Sequence, residues 1–160
     1  MRKIKYIVVH CAATKEGQHF TTADIDRWHK DRGFAKIGYH LVVYLDGSVH
    51  KGRDISEVGA HVTGYNEESI GICYIGGLDE NGKPKDTRTP EQKATLEAEL
   101  KKLMEQFPHA IICGHRDFSE DKNGNGLIEP FEWMKACPCY DVIKEYYNFM
   151  LPEVVVTTKK

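Results

Sequence analysis

The chain has no apolar run long enough to cross a membrane, no internal repeat and no linker-like stretch between two halves. Those absences argue for one domain, expected over residues 1–152, with residues 153–160 as a poorly ordered tail. It also lacks an excess of basic residues: 22 Lys and Arg against 24 Asp and Glu give a formal charge of −2. A nucleic-acid binder usually shows a clustered basic face, so that class is not expected. A secretion signal is not expected either. The opening Met1–His10 is basic and then apolar, but the apolar part is short and breaks at His10. Synthesis in the cytoplasm is the expectation, with no membrane association and a monomeric state. Five cysteines, an odd number at irregular spacing, make a disulfide framework a weaker reading than reduced thiols, one of which ligates a metal.

What is present is an ordinary globular balance, 41% hydrophobic and 29% charged over 160 residues. Residues 4–9 are β-branched or aromatic at most positions and predict a buried strand. Thr21-Thr22-Ala23-Asp24 predicts a helix start, with Ile25 and Trp28 on its apolar face and Gly33 as its stop. Tyr39 to Leu45 and the segment from Ser48 onward predict a hairpin around a two-residue Asp46-Gly47 turn. Residues 69–75 predict another buried strand. Thr89-Pro90-Glu91-Gln92 reads as an N-cap, a proline at the first helical position and a capping box. The helix it opens carries the stripe Leu96, Leu100, Leu103, Met104 and Phe107, which is core. Ala110 to Cys113 is a short strand, and Asp141 to Met150 a last helix with Val142, Ile143 and Tyr146 inward. The order β, α, ββ, β, α, β, α predicts an α/β fold, a central mixed sheet flanked by helices, with its site in a groove at the strand ends.

Of eight histidines, His19, His29 and His109 fall in loops or on helix surfaces, and His50 lies past the hairpin turn. Tyr39 and His40 are strand neighbours, so only one can face a given cleft. His10 and His115 each close a strand, where side chains are delivered rigidly to one edge. A catalytic zinc takes three protein ligands and keeps a position for water, and Cys137 is the natural third ligand. Spacing alone leaves a structural or solvated strand-end histidine the commoner case.

Seven segments occur in order: His10-Cys11-Ala12-Ala13-Thr14, Trp28-His29-Lys30, Ile37-Gly38-Tyr39-His40, Gly59-Ala60-His61, Gly64-Tyr65-Asn66, Ser69-Ile70-Gly71-Ile72 and Lys135-Ala136-Cys137-Pro138. Together they resemble the N-acetylmuramoyl-L-alanine amidases of the phage-lysozyme type, relatives of the peptidoglycan recognition proteins, over residues from about 4 to 145. The resemblance implies zinc held by His10, His115 and Cys137, and catalytic roles for Tyr39 and Lys135. It sets His61 and Asn66 in the wall of a substrate groove, although Asn66 also reads as a turn residue and His61 as a loop-shaping one. The implied substrate is peptidoglycan or its muropeptides, cut between the muramic acid lactyl group and L-alanine. A phage or prophage endolysin is the implied role, with recycling of cytoplasmic muropeptides as the alternative.

Two features depart from the family. The segment before Cys137 fits a calcium-loop pattern: Asp121, Asn123 and Asn125, Gly126 at the sixth position, the Leu127 carbonyl, and Glu132 at the twelfth. No helix is expected before it, so an Asn/Gly turn competes with a calcium site. Cys139 forms a Cys-Pro-Cys pair with Cys137. With two histidines that pair would close a four-ligand structural zinc site and leave a catalytically inactive peptidoglycan-binding module. A pure binder has no need for Tyr39 and Lys135, which favours the enzyme.

Overall fold

The computed structural model describes residues 2–151, so the expected tail at 153–160 lies outside the described residues. In chain order the elements are β1 (Tyr6–Cys11), β2 (Thr14–Lys15), α1 (Thr22–Asp31), β3 (Leu41–Val43), β4 (Val49–Lys51), β5 (Ser69–Tyr74), β6 (Gly77–Leu78), α2 (Pro90–Gln106), β7 (Ile111–Gly114) and α3 (Val142–Tyr146). Five strands form the central sheet in the order β4-β3-β5-β1-β7, and β2 pairs with β6 beside it. Within the main sheet β3, β5, β1 and β7 run parallel and β4 antiparallel. The fold is the mixed sheet with flanking helices that the sequence order implies.

The central strands are buried on both faces, which explains their nearly unbroken apolar runs. On one face Ile7 and Val9 of β1 and Ile70, Ile72 and Tyr74 of β5 pack with Leu96, Leu100 and Leu103 of α2 and with Val142 and Tyr146 of α3. By the two-residue alternation of a strand, Val8 and His10 point the other way, and Val8 packs there with Val62 and Cys113. On β5 the same alternation gives that face Ser69, Gly71 and Cys73. The register sets Tyr6 beside Ser69, Val8 beside Gly71 and His10 beside Cys73. One face of β1 therefore builds core while the other carries polar chemistry.

Local signals explain the element ends. The expected capping box of Thr89 with Gln92 opens α2 with Pro90 in its first turn, and Thr21 with Asp24 forms a second one at the start of α1. Gly33 leaves α1 at φ +94°. The hairpin turn differs from expectation. The Tyr44 amide donates to the Ser48 carbonyl, so the turn takes three residues rather than two, with Gly47 at φ +85°. Thr95 of α2 donates its hydroxyl to the Gly47 carbonyl at 2.7 Å, and that contact seats the turn on the helix. The last helix is also shorter than Asp141–Met150, ending at Tyr146 before a tight turn over Tyr147–Phe149. Arg88, 7% exposed, lies over the Tyr140 ring at 3.3 Å and pairs with Asp86 and Glu145, which ties the C-terminal segment to the start of α2.

Leu100 sits at the centre of the α2 contact, fully buried. Leu100→Ala is expected to lower the unfolding free energy by about 2–5 kcal/mol through lost burial and a residual cavity. Denaturant titration of both proteins measures this, and a loss well below that range would mean the α2 interface repacks freely.

Candidate metal centre

Three side chains meet where the strands end. His10, the penultimate residue of β1, is 1% exposed, and His115, the first residue after β7, is 8% exposed. Cys137 comes from the long return segment between β7 and α3. Its carbonyl accepts from the Arg116 amide at 2.9 Å, and its Sγ accepts from the Cys11 amide at 3.2 Å. Backbone contacts thus hold Cys137 against both strand ends. One ligand atom from each of the three side chains lies within 4.8 Å of the others. His10 Nδ1 stands 3.9 Å from Cys137 Sγ, near the roughly 3.6 Å expected between a nitrogen and a sulfur on one tetrahedral zinc. Among the described residues this is the one such group of His, Cys, Asp or Glu gathered closely enough to share an ion.

The protonation states suit a metal. Burial, with the charges of His61, His115 and Lys135 around it, pushes the His10 imidazole well below its ordinary value. Burial and the Lys135 ammonium lower His115 to about 4. Both rings are neutral at pH 7, the form that ligates. A donor set of two neutral imidazoles and one thiol fits zinc, and it opens onto a cavity of about 720 Å³ lined also by Tyr39, Trp28 and Lys135.

The strand expected from Tyr39 to Leu45 is shorter, β3 covering Leu41–Val43, and Tyr39 and His40 precede it with their side chains in different surroundings. Tyr39 lines the cavity with its ring 5.0 Å from that of His10. His40 is fully buried; its Nδ1 accepts from the Gly71 amide at 3.0 Å and its Nε2 donates to the Glu57 carbonyl at 2.8 Å. Burial and the thiols of Cys73, Cys137 and Cys11 hold the Tyr39 phenol well above its ordinary value, so it is a hydrogen-bond donor at neutral pH. Lys135 is exposed at the cavity rim and makes no ion pair among the described residues.

The remaining candidates sit differently. His61 is 9% exposed, its Nδ1 2.8 Å from His10 Nε2 and its Nε2 3.2 Å from Ser69 Oγ. Asn66 spends its carbonyl oxygen on the amides of His61 and Val62, both at 2.9 Å, as a loop clamp. Cys139 stands outside the three-residue group. Its thiol donates to the Gly77 carbonyl at 3.2 Å and lies 3.9 Å from Cys11 Sγ. That direction speaks against a closed four-ligand site.

In the calcium-type loop Asp121 accepts from the amides of Gly124 and Gly126, Asn123 from Asn125, and Asn125 from Leu127. Glu132, 2% exposed, accepts from the amides of Lys122, Asn123 and Glu129. These oxygens already hold partners within the loop, and the geometry lends calcium no support beyond the sequence pattern.

Sequence reasoning also missed His29. It is buried rather than on a helix surface, and its Nδ1 accepts from the Gly38 amide at 2.8 Å. The signal was its place four residues after Ile25, on the inward stripe of α1. The aromatic lining from Phe34, Tyr65 and Phe118 was likewise unread, because those residues converge from three separate loops.

The comparisons with known proteins agree with this geometry. Residues 1–138 match the family model described as N-acetylmuramoyl-L-alanine amidase. The chain is 38% identical over 134 residues to the endolysin of Enterobacteria phage K11, covering 84% of this chain and 80% of that protein. It is 37% identical over 136 residues to the endolysin of Escherichia phage T7, covering 85% and 81%. The solved N-acetylmuramoyl-L-alanine amidase LysC from Clostridium intestinale URNW superposes with TM-score 0.68 at 25% identity, covering 98% of this chain and 85% of that one. Drosophila PGRP-LB, at 19% identity and TM-score 0.69 over 94% and 85%, shares the fold.

The buried histidines generate a prediction for chelator-treated protein. An unfolded imidazole takes up a proton near pH 6.5, whereas His29 and His115 refuse one until about 4 and His61 until about 3. Between those values the unfolded chain binds more protons, so stability is full above about 6.5 and is lost as pH falls from there towards about 3. Denaturant midpoints across that window read the slope directly; a flat profile would mean that these rings titrate as in water.

Proposed function

The chain belongs to the N-acetylmuramoyl-L-alanine amidase family and is a peptidoglycan amidase, and on that premise we propose that it is a zinc-dependent endolysin. It hydrolyses the amide between the lactyl group of N-acetylmuramic acid and L-alanine. His10, His115 and Cys137 hold the zinc, and the single observation that carries this is the convergence of their ligand atoms within 4.8 Å beside an open cavity. In this reading residues 1–152 work as one catalytic domain on peptidoglycan or muropeptides, made in the cytoplasm and acting on the wall after release.

Zinc bound there would polarise the amide carbonyl and lower the pKa of a bound water to roughly 7. The rest is the work of the chain's own groups. Tyr39 keeps its phenolic proton at neutral pH, because its surroundings disfavour the phenolate. Its hydroxyl can therefore donate to the oxygen that gains charge as the carbonyl carbon becomes tetrahedral. Lys135 lies two residues before Cys137, so the loop that supplies the thiolate also carries an ammonium to the cavity rim. Its charge is felt at both His10 and His115, which sets it within electrostatic reach of the reacting centre. Donors aimed at developing charge in a site that excludes water each contribute about a hundredfold or more in rate. The aromatic walls supplied by Trp28, Phe34 and Phe118 offer apolar surface for the sugar and stem peptide and displace water from the bond being cut.

Two variants separate the roles. Cys137→Ala is expected to lose both zinc and turnover of a defined muramoyl-peptide. Tyr39→Phe is expected to keep one zinc per chain and lose about a hundredfold or more in kcat. Metal content by atomic emission, together with release of a peptide bearing a free L-alanine amine, reads both. A fully active Tyr39→Phe protein would remove the phenol from the mechanism, and a Cys137→Ala protein with full zinc would remove the thiolate from the ligand set.

A further inference from the structure

A metal-binding imidazole has two nitrogens, and the partner of the one that faces away from the metal decides whether the other is free to bind. For His10 that partner is another histidine. The Nδ1 of His10 faces Cys137 Sγ, while its Nε2 lies 2.8 Å from His61 Nδ1. The far nitrogen of His61 lies 3.2 Å from the hydroxyl of Ser69, itself fully buried. We propose that His61 is a positioning residue for the metal centre: the relay His10–His61–Ser69 holds the His10 proton on Nε2 and so keeps Nδ1 bare and aimed at the zinc. This rests on the zinc reading above and assigns to His61 a task other than substrate contact.

The proton count admits only one direction through the relay. A neutral ring carries one N–H. If His10 Nδ1 is to ligate, its proton sits on Nε2 and is donated to His61 Nδ1. His61 then carries its own proton on Nε2 and donates it to Ser69 Oγ. Run the other way, the proton would lie on His10 Nδ1, and the ring could not bind on the Cys137 side. Both nitrogens of His61 are spent on these bonds, so neither is left for a sugar or peptide.

The seat of the His61 ring is built for it. A methyl group added at Gly71 would stand 2.8 Å from His61 Cγ, and one added at Gly59 would stand 2.8 Å from His61 Cδ2. Any side chain at either position would displace the imidazole. Asn66 holds the backbone of the ring's own residue by accepting from the His61 and Val62 amides. Ser69 and Gly71 belong to β5, in register with Tyr6 and Val8 of β1, so the support and the ligand rest on two paired central strands. Gly59-Ala60-His61, Gly64-Tyr65-Asn66 and Ser69-Ile70-Gly71 thereby form one device, consisting of a ring with its clamp and seat. Partners of this kind around a ligating histidine typically matter by about 10–100-fold in metal affinity.

The test compares zinc affinity, by competition with a chromogenic chelator, for the wild-type protein, His61→Leu and His61→Asn. Leu fills the seat without an acceptor, while the Asn carbonyl oxygen can occupy the place of Nδ1. The Leu variant is expected to bind zinc about 10–100-fold more weakly, with Asn recovering most of the loss. Nitrogen-15 NMR of the zinc-loaded wild-type protein is expected to show the His10 proton on Nε2, and this holds even if the Leu variant fails to fold. Equal affinity of the Leu and wild-type proteins, no recovery by Asn, or a His10 proton on Nδ1 would each overturn the positioning role and leave the zinc reading standing. A wild-type protein that takes up no zinc would overturn both.

Discussion

Everything at the site depends on the parallel pairing of β1 between β5 and β7. Parallel neighbours bring their carboxyl ends to the same edge, so residues far apart in sequence become neighbours there. His10 is next to last in one strand and His115 follows the other, and their ring centroids lie 4.9 Å apart. The pairing is stable because the opposite face of the same strands is the main core, against α2 and α3. Burial of Ile7 and Val9 on that face is what makes the position of His10 on the other face rigid.

The third side chain of the cluster, Cys137, needs a different solution, since no strand end supplies it. The chain after β7 runs out through a long segment and returns to set Cys137 against the two strand ends. The return is held by backbone contacts, Arg116 to the Cys137 carbonyl and the Cys11 amide to its sulfur. Downstream, Tyr74 donates its hydroxyl to the Pro138 carbonyl at 2.6 Å, and the Arg88 network anchors Tyr140 and Glu145. A loop that carries both Cys137 and Lys135 is thus fastened on either side of the site. Cys139, at φ +72°, turns its thiol away towards Gly77 and leaves the centre a three-residue set.

Polar groups buried around the site find partners within the chain. His10, His61 and Ser69 form one chain, and His29 and His40 each take a backbone amide. Such networks are costly when incomplete and rigid when complete. Among the described residues only the Thr14 hydroxyl is a buried side-chain polar atom without a partner. Rigidity of this kind suits a cluster of side chains that could hold an ion.

Much was legible in the sequence because it is written in local rules. The capping boxes at Thr21 and Thr89, the stripe from Leu96 to Met104 and the apolar runs of β1 and β5 each state their element through short-range chemistry. The strand-end placement of His10 and His115 followed from the same rules, donor chemistry made Cys137 the natural third candidate, and family resemblance added Tyr39 and Lys135. What only the tertiary structure decided is which groups face each other. Adjacency in sequence suggested that Tyr39 and His40 face different ways, but not that β3 starts only at Leu41, that His61 meets His10 or that Cys139 turns from Cys137. Those partnerships come from strand register and from loops crossing the open face of the sheet, contacts between residues some 50 to more than 120 positions apart. No local pattern encodes such a meeting, because it depends on the packing of the whole chain.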